Sequence, residues 1–280
     1  MSYFKIKSHA KINLSLNVIG KSKSLHKIES IISFLTLHDE IKIRKIDNRN
    51  HKIKFIGKFS KGINSKNTVS KLLENIDKRK LLKNKYQIII KKNIPSKAGL
   101  GGGSMNAASL INFFIKKRLI RTNNEEILKI SNSVGSDVAL GLNLKNLLFK
   151  QNNTIKKLSN KKKFFVLIAK PYFGCSTKKI YSKVRKFSNR ESNLNSNNIF
   201  SMKSLKKSKN DLEIIVLKEY PKLKSLKIFL ENLTTIEFAR MTGSGSAIIA
   251  YFSSFRKCKE AREKVKKQFR NYWCKISKTI

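Results

Sequence analysis

The spacing of apolar and polar positions changes character several times along the chain. Residues 28–37 and 40–46 predict strands, the second with Ile41 and Ile43 alternating against polar neighbours, and Ile53 and Phe55 repeat that alternation. Val69, Leu72, Leu73 and Ile76 stand at helical spacing and predict a helix over 67–76. Residues 86–92 form a β-rich run leading through Pro95 into a glycine-rich stretch. Beyond it Ala107, Ala108, Leu110, Ile111, Phe114 and Ile115 trace one face of a helix. Thr122 followed by Glu125 reads as a capping box opening the next helix, and 147–149 predicts another strand. A polar break over 151–163 precedes the apolar run 164–169, which opens a second half. There, 186–211 is rich in Ser, Asn and Lys without a period, and helices are expected over 211–219 and 222–232. A small glycine loop at 241–245 leads into a strand at 247–252 and a helix at 255–269. The pattern is α+β in two domains of comparable size, 1–158 and 159–280, with no internal repeat.

Composition narrows the class. Of 280 residues, 40% are hydrophobic, too many for wholesale disorder, and 12 Gly with 3 Pro exclude collagen-like and proline-rich chains. The balance of 62 Lys+Arg against 17 Asp+Glu gives a net charge of +45, which would ordinarily place nucleic-acid binding first. The lysines, however, run through every segment alongside Ile and Asn, all residues of A/T-rich codons. Base-composition drift explains them more simply than a selected RNA-binding surface, although nonspecific polyanion binding at low salt is expected. No apolar run approaches the ~20 residues a bilayer span requires, and Lys5, Lys7 and Lys11 interrupt any signal-like stretch. No membrane association and a cytoplasmic location are expected, with no removable leader before the motif at His9. Three widely spaced cysteines without a CxxC pair argue against a disulfide framework and a zinc site.

The most informative segment is Pro95-Ser96-Lys97-Ala98-Gly99-Leu100-Gly101-Gly102-Gly103-Ser104-Met105, entered from a strand and left by an amphipathic helix. Its four glycines remove every Cβ where a bulky anion would sit and permit positive φ. The loop N–H groups and the helix N-terminus can then converge on phosphate oxygens. Ser104 adds a hydroxyl suited to a phosphate oxygen or Mg²⁺. A P-loop would need Gly-Lys-Ser/Thr at its end, and here Lys97 precedes the glycines. A dinucleotide fingerprint would need Gly or Ala where Ser104 or Asn106 stands. A glycine-rich turn without a ligand is the bland alternative.

Two further segments gain meaning beside a phosphate loop. His9-Ala10-Lys11-Ile12-Asn13-Leu14 places Lys11 and Asn13 on one side of an extended segment, Ile12 and Leu14 on the other. Ser133-Val134-Gly135-Ser136-Asp137-Val138 sets a rare acid among small and apolar residues after a helix, where helix capping is the plainer role. A carboxylate with a nearby ammonium suits phosphoryl transfer to an alcohol: the first accepts the hydroxyl proton, and the second keeps it ionised and steadies the transferring group.

In this order the pieces resemble the small-molecule kinases of the galactokinase, homoserine kinase, mevalonate kinase and phosphomevalonate kinase (GHMP) superfamily. Its three hallmark segments match Ala10–Leu14, Pro95–Ala108 and Met241-Thr242-Gly243-Ser244-Gly245-Ser246. Within it, the Ala-Lys-Ile-Asn-Leu opening, His26, the Gly-Leu-Gly-Gly-Gly-Ser loop and Gly-x-Asp-Val look like the 4-diphosphocytidyl-2-C-methylerythritol kinase family. The resemblance implies a two-domain GHMP-kinase-like α+β fold, its active site in the inter-domain cleft, using ATP and Mg²⁺. Carried over by position, it makes Lys11 and Asp137 the catalytic pair and gives Pro95–Met105 and Asn67 to ATP. Asn13, His26, Thr177 and Tyr181 fall to a small-molecule, cytidine diphosphate-linked substrate, with His26 reading the cytosine edge and Tyr181 as its platform. The chain reads Leu25 where the family carries an aromatic, His9 where it has Pro, and Met105 where it has Ser. Another superfamily kinase, for homoserine or a mevalonate-type alcohol, is the nearest rival. A basic RNA-binding protein is the rival from another class.

Overall fold

The structure, a computed structural model, describes residues 2–22, 25–150, 154–158, 163–189 and 199–280. They cluster into two compact units, each assembled from several stretches of chain. The first comprises Met1–Ala10, Leu37–Ser96 and Gly101–Leu144, the second Lys11–Thr36, Lys97–Leu100 and Lys145–Ile280. Two long strands, β1 (Phe4–Ser22) and β2 (Leu25–Ile46), contribute residues to both.

In the first unit, residues 40–46 of β2 pair antiparallel with β4 (Lys85–Lys91), which pairs in parallel with β3 (Lys52–Ile56). Ile41, Ile43, Ile88 and Ile90 point one way from this sheet, as period-2 alternation dictates, and are fully buried. They join one core with Leu72 and Ile76 of α1 (Thr68–Lys78) and Ala107, Leu110 and Phe114 of α2 (Gly102–Lys116). Ile127, Ile130 and Val134 of α3 (Asn124–Val134) complete it.

In the second unit, residues 30–32 of β2 pair with β5 (Leu147–Phe149), which pairs with β6 (Ile155–Lys157). A separate antiparallel sheet has the order β10-β7-β9-β8, built from β7 (Phe165–Lys170), β8 (Phe238–Met241), β9 (Ile248–Phe252) and β10 (Trp273–Lys278). Every residue of β9 is buried, which is why it reads as a continuous apolar run. Leu223, Leu226 and Leu230 of α7 (Pro221–Glu231) are fully buried in this unit's core. Each contributes about 1.5–3 kcal/mol. α4 (Thr177–Ser182), α5 (Met202–Lys207), α6 (Asp211–Glu219) and α8 (Phe255–Gln268) complete the described helices.

Several expectations need correction. The strands expected at 28–37 and 40–46 are one strand. The helix after Thr122 is capped by Asn123, whose Oδ1 accepts the Glu126 N–H at 2.8 Å, so the Thr122–Glu125 box does not form its start. The aperiodic 186–211 stretch holds α5. Lys23 and Ser24, the Leu25 side chain, and parts of the 151–163 and 186–211 stretches, including residue 159 at the expected domain boundary, lie outside the described residues.

Candidate active site

The glycine loop has the backbone its sequence requires. Gly99 and Gly101 adopt φ of +74° and +67°, and Gly101 is the N-cap of α2, so Gly102 and Gly103 already lie in the helix. Lys97 also has positive φ, +49°. Pro95, Ser96 and the residues from Gly101 onward belong to the first unit, Lys97–Leu100 to the second. In the first unit, a Cβ on Gly102 would stand 3.4 Å from the Lys92 ammonium. Lys92 is buried and paired with the fully buried Asp39, which also accepts the N–H groups of Asn93 and Ile94 at 2.7 and 2.9 Å. These bonds fix the chain just before Pro95. Gly103 offers its carbonyl to the Thr68 hydroxyl at 2.9 Å.

Asn67 caps α1. Its Oδ1 accepts the Val69 and Ser70 N–H groups at 2.9 and 3.1 Å, and its Nδ2 donates to the Asn64 and Ser65 carbonyls at 3.0 and 3.1 Å. The carboxamide is thus engaged at both ends, and Thr68 beside it makes the contact to the glycine loop.

Asp137 lies half-buried in a turn closed by the Val138 N–H donating to the Gly135 carbonyl at 3.0 Å. The following 3-10 turn, Ala139–Leu142, is pressed against the start of α2. A Cβ on Gly141 would lie 2.6 Å from the Ala108 Cβ and 2.9 Å from the Met105 Sδ, so only glycine fits there. A Cβ on Gly135 would come within 3.8 Å of the Ser104 Oγ. Ser104, Met105 and the Asp137 turn are therefore neighbours within the first unit.

The second unit assembles the other residues. Along β1, Ile12, Leu14, Leu16 and Val18 alternate with Lys11, Asn13, Ser15 and Asn17, and both faces are buried. A polar face held away from water must find partners. Lys11 Nζ donates to Asn13 Oδ1 at 2.8 Å, and Asn13 Nδ2 donates to Ser30 Oγ at 2.8 Å. Ser30 in turn donates to the Ser15 carbonyl at 2.5 Å. The Lys11 N–H donates to the Leu100 carbonyl at 3.0 Å, tying this strand to the glycine loop.

The second glycine loop, 241–246, closes the same cluster. The Asn13 N–H donates to Thr242 Oγ1 at 3.0 Å, and that hydroxyl reaches the Gly99 carbonyl at 3.2 Å. The Ser246 and Ala247 N–H groups donate to the Lys97 and Ala98 carbonyls, each at 3.2 Å. Thr242 is a site residue the sequence argument passed over, although the loop that carries it had been identified. Ser244 is another: its hydroxyl lies 2.7 Å from that of Thr177, at the start of α4.

His26 and Tyr181 come together, their ring centroids 5.0 Å apart at an interplanar angle of 39°. Burial first, and then the charge of Lys21, hold the His26 imidazole below its ordinary pKa of 6.5, so the ring is neutral at pH 7. Of the four residues assigned to substrate, His26 and Tyr181 pair with each other, Asn13 bonds Lys11, and Thr177 lies against Ser244, all in this unit. Lys11 belongs to the second unit and Asp137 to the first.

Among the described residues no three His, Cys, Asp or Glu side chains are grouped to hold a metal ion. Burial pushes the thiols of Cys175 and Cys274 up to about 11 and that of Cys258 to about 12, leaving them protonated and unreactive at neutral pH. No helix among the described residues is long and apolar enough to cross a membrane.

Comparison with known proteins gives a consistent result. Residues 67–144 match the model of the GHMP kinases N terminal domain. Over the full length of both proteins, the chain is 54% identical to 4-diphosphocytidyl-2-C-methyl-D-erythritol kinase of Pelagibacter ubique (strain HTCC1062). It is 30% identical to the kinase of the same name from Clostridium kluyveri, over 98% of this chain and 99% of that one. Its fold matches a crystal structure of 4-(cytidine 5'-diphospho)-2C-methyl-D-erythritol kinase with a TM-score of 0.79 at 20% identity, covering 98% and 99% of the two chains. Homoserine kinase from Cytophaga hutchinsonii shares the fold at a TM-score of 0.71 and 16% identity, over 100% and 95%. With a relative this similar along its whole length, the chain belongs to the 4-diphosphocytidyl-2-C-methyl-D-erythritol kinase family of the GHMP kinases.

Proposed function

We propose that the protein transfers the γ-phosphoryl group of ATP to the 2-hydroxyl of 4-diphosphocytidyl-2-C-methyl-D-erythritol, a step of isoprenoid precursor synthesis by the non-mevalonate route. The observation that carries this choice within the superfamily is the His26–Tyr181 pair. A neutral imidazole beside an aromatic face suits a pyrimidine, whose edge it can hydrogen-bond while the phenol ring stacks. Homoserine and mevalonate carry no base and would leave that pair without a task.

In this reading Pro95–Met105 holds the ATP phosphates with backbone N–H groups and the start of α2, and Asn67, through the α1 cap, shapes its flank. Asp137 accepts the proton of the attacking hydroxyl, and Lys11, steered by Asn13, stabilises charge on the transferring group. A weak base is enough, because the transition state is loose and the hydroxyl need not ionise early. Thr177 and Asn13 orient the alcohol. Mg²⁺ usually keeps several waters and leans on nucleotide phosphates rather than on a protein cage, which accords with the donor set here. Ser104 Oγ would hold either a phosphate oxygen or the ion, and the ion would neutralise phosphate charge. The division into an ATP-binding part, 1–158, and a second part, 159–280, belongs to this proposal, as do a cytoplasmic location and nonspecific polyanion binding at low salt by a chain of net charge +45.

Incubating the purified protein with Mg-ATP and, separately, the cytidyl alcohol, homoserine and mevalonate tests the reading by ³¹P NMR of the products. A phosphomonoester on the 2-oxygen of the cytidyl alcohol is expected. Phosphorylation of homoserine or mevalonate alone overturns it.

A further inference from the structure

The segment Asn210-Asp211-Leu212-Glu213 does more than start α6. Asn210 is 4% exposed, and its Oδ1 caps the helix by accepting the Leu212 N–H at 3.1 Å. Its Nδ2 donates to two carbonyls of the second glycine loop, those of Met241 and Gly243, at 2.8 Å each. Glu213 accepts the Met241 N–H at 2.6 Å and is itself held by Lys227 at 2.6 Å. Asp211 accepts the Val18 N–H of β1 at 2.7 Å. One four-residue motif therefore grips both polar backbone groups of Met241, the carbonyl of Gly243, and the strand that carries Lys11 and Asn13.

Between the two gripped carbonyls stands Thr242, whose hydroxyl receives the Asn13 N–H. Gly243, at φ +55°, has no side chain to hold the turn by packing. The Asn210 carboxamide holds the Met241–Thr242 and Gly243–Ser244 peptides, alongside the Thr242 N–H donating to the Ala247 carbonyl at 3.1 Å and the Gly245 N–H donating to the Thr242 carbonyl at 3.0 Å; a buried carbonyl that lost its donor would rotate to find another.

We propose that Asn210 is a positioning residue for phosphoryl transfer: it sets the backbone around Thr242 and, through Thr242, holds Asn13 and Lys11 in reacting geometry. This rests on the kinase reading above. It predicts that loss of the two donated bonds is felt in turnover more than in ligand affinity, because a small misplacement of a catalytic group costs rate out of proportion to binding.

The test uses Asn210→Asp, which keeps the shape and the helix-capping oxygen but donates nothing, and Asn210→Ser, which keeps a good N-cap and can donate to one carbonyl at most. In both, kcat per folded molecule should fall about tenfold, with KM for ATP and the cytidyl alcohol within about threefold of wild type. Thr242→Val should lower kcat by itself, and adding Asn210→Ser to it should lower kcat no further. Hydrogen exchange at Gly243, Ser244 and Gly245 should quicken in Asn210→Ser. A folded Asn210→Ser enzyme with wild-type kcat, independent multiplication of the two effects, or unchanged exchange in the loop each overturns the proposal. Absence of any transfer by the wild-type protein would sink the kinase reading instead, and the exchange measurement still decides whether Asn210 sets the loop.

Discussion

The two glycine loops reach their shapes by different means. The first, Pro95–Met105, takes its turn from its own glycines, with positive φ at Gly99 and Gly101 and a helix that begins on them, and its carbonyls then accept bonds from Lys11, Thr68, Thr242, Ser246 and Ala247. The second, Met241–Ser246, is shaped from a distance, with Asn210 and Glu213 about thirty positions earlier gripping its backbone. The lesson concerns what a sequence motif encodes. A run of glycines announces a loop that can approach an anion, but a loop that must hold one side chain still depends on partners its own motif does not name.

The sharpest way to break this contrast is Gly99→Ala. A Cβ there would stand 2.0 Å from the Thr242 carbonyl oxygen, at a backbone φ that side chains rarely adopt. Backbone can give little, so a loss of about 3 kcal/mol or more of stability, with no measurable transfer, is expected in thermal melts and steady-state assays. Gly243→Ala should cost less, about 1–2 kcal/mol, because its Cβ would meet Gly99 no closer than 3.3 Å, a tight contact that a shift of a few tenths of an ångström relieves, and the positive φ adds the rest. If the two variants were equally damaged, the loops would not differ as described.

Outside both loops, His26→Ala should raise KM for the cytidyl alcohol about tenfold and leave kcat near wild type, as expected for one lost polar contact to substrate. The pH profile sharpens this. With the His26 pKa below 6.5, the neutral ring persists through pH 7 and is lost only as pH falls below its ordinary value. KM should therefore be flat above pH 7 and rise on the acid side, and His26→Ala should remove that rise. The same sign holds for stability: the unfolded ring takes up its proton first, so this contribution fades as pH drops through 6.5 towards the folded value. The smallest effect is expected at Asn67→Ala, which removes the α1 cap and should lower stability by about 1 kcal/mol in chemical denaturation.

Much of this was legible in the sequence where local chemistry decides structure. The helix over 211–219 begins and ends where the pattern put it, because Asn210 caps it and a Tyr-Pro step follows Glu219. The glycine loop and its helix were legible for the same reason. β1 was read only as an extended segment at His9–Leu14. Its alternation over residues 11–18 is regular, but its polar face is buried rather than solvated, so polarity gave no clue to which side mattered. β2 was read as two strands, 28–37 and 40–46, on either side of Asp39. Its carboxylate is satisfied by Lys92 and by two N–H groups far along the chain, and such partners have no signature in the sequence. Thr242 and the grip on its loop were missed for the same reason, since Asn-Asp-Leu-Glu reads locally as no more than a good helix start.

The most direct test of the central claim is single-turnover phosphoryl transfer by Asp137→Asn, with ATP affinity measured separately on the same protein. If Asp137 is the base beside a nucleotide held by the first glycine loop, transfer slows by about 10²–10⁴ while ATP binds nearly as before. Transfer at the wild-type rate, with ATP bound as in wild type, would contradict the account.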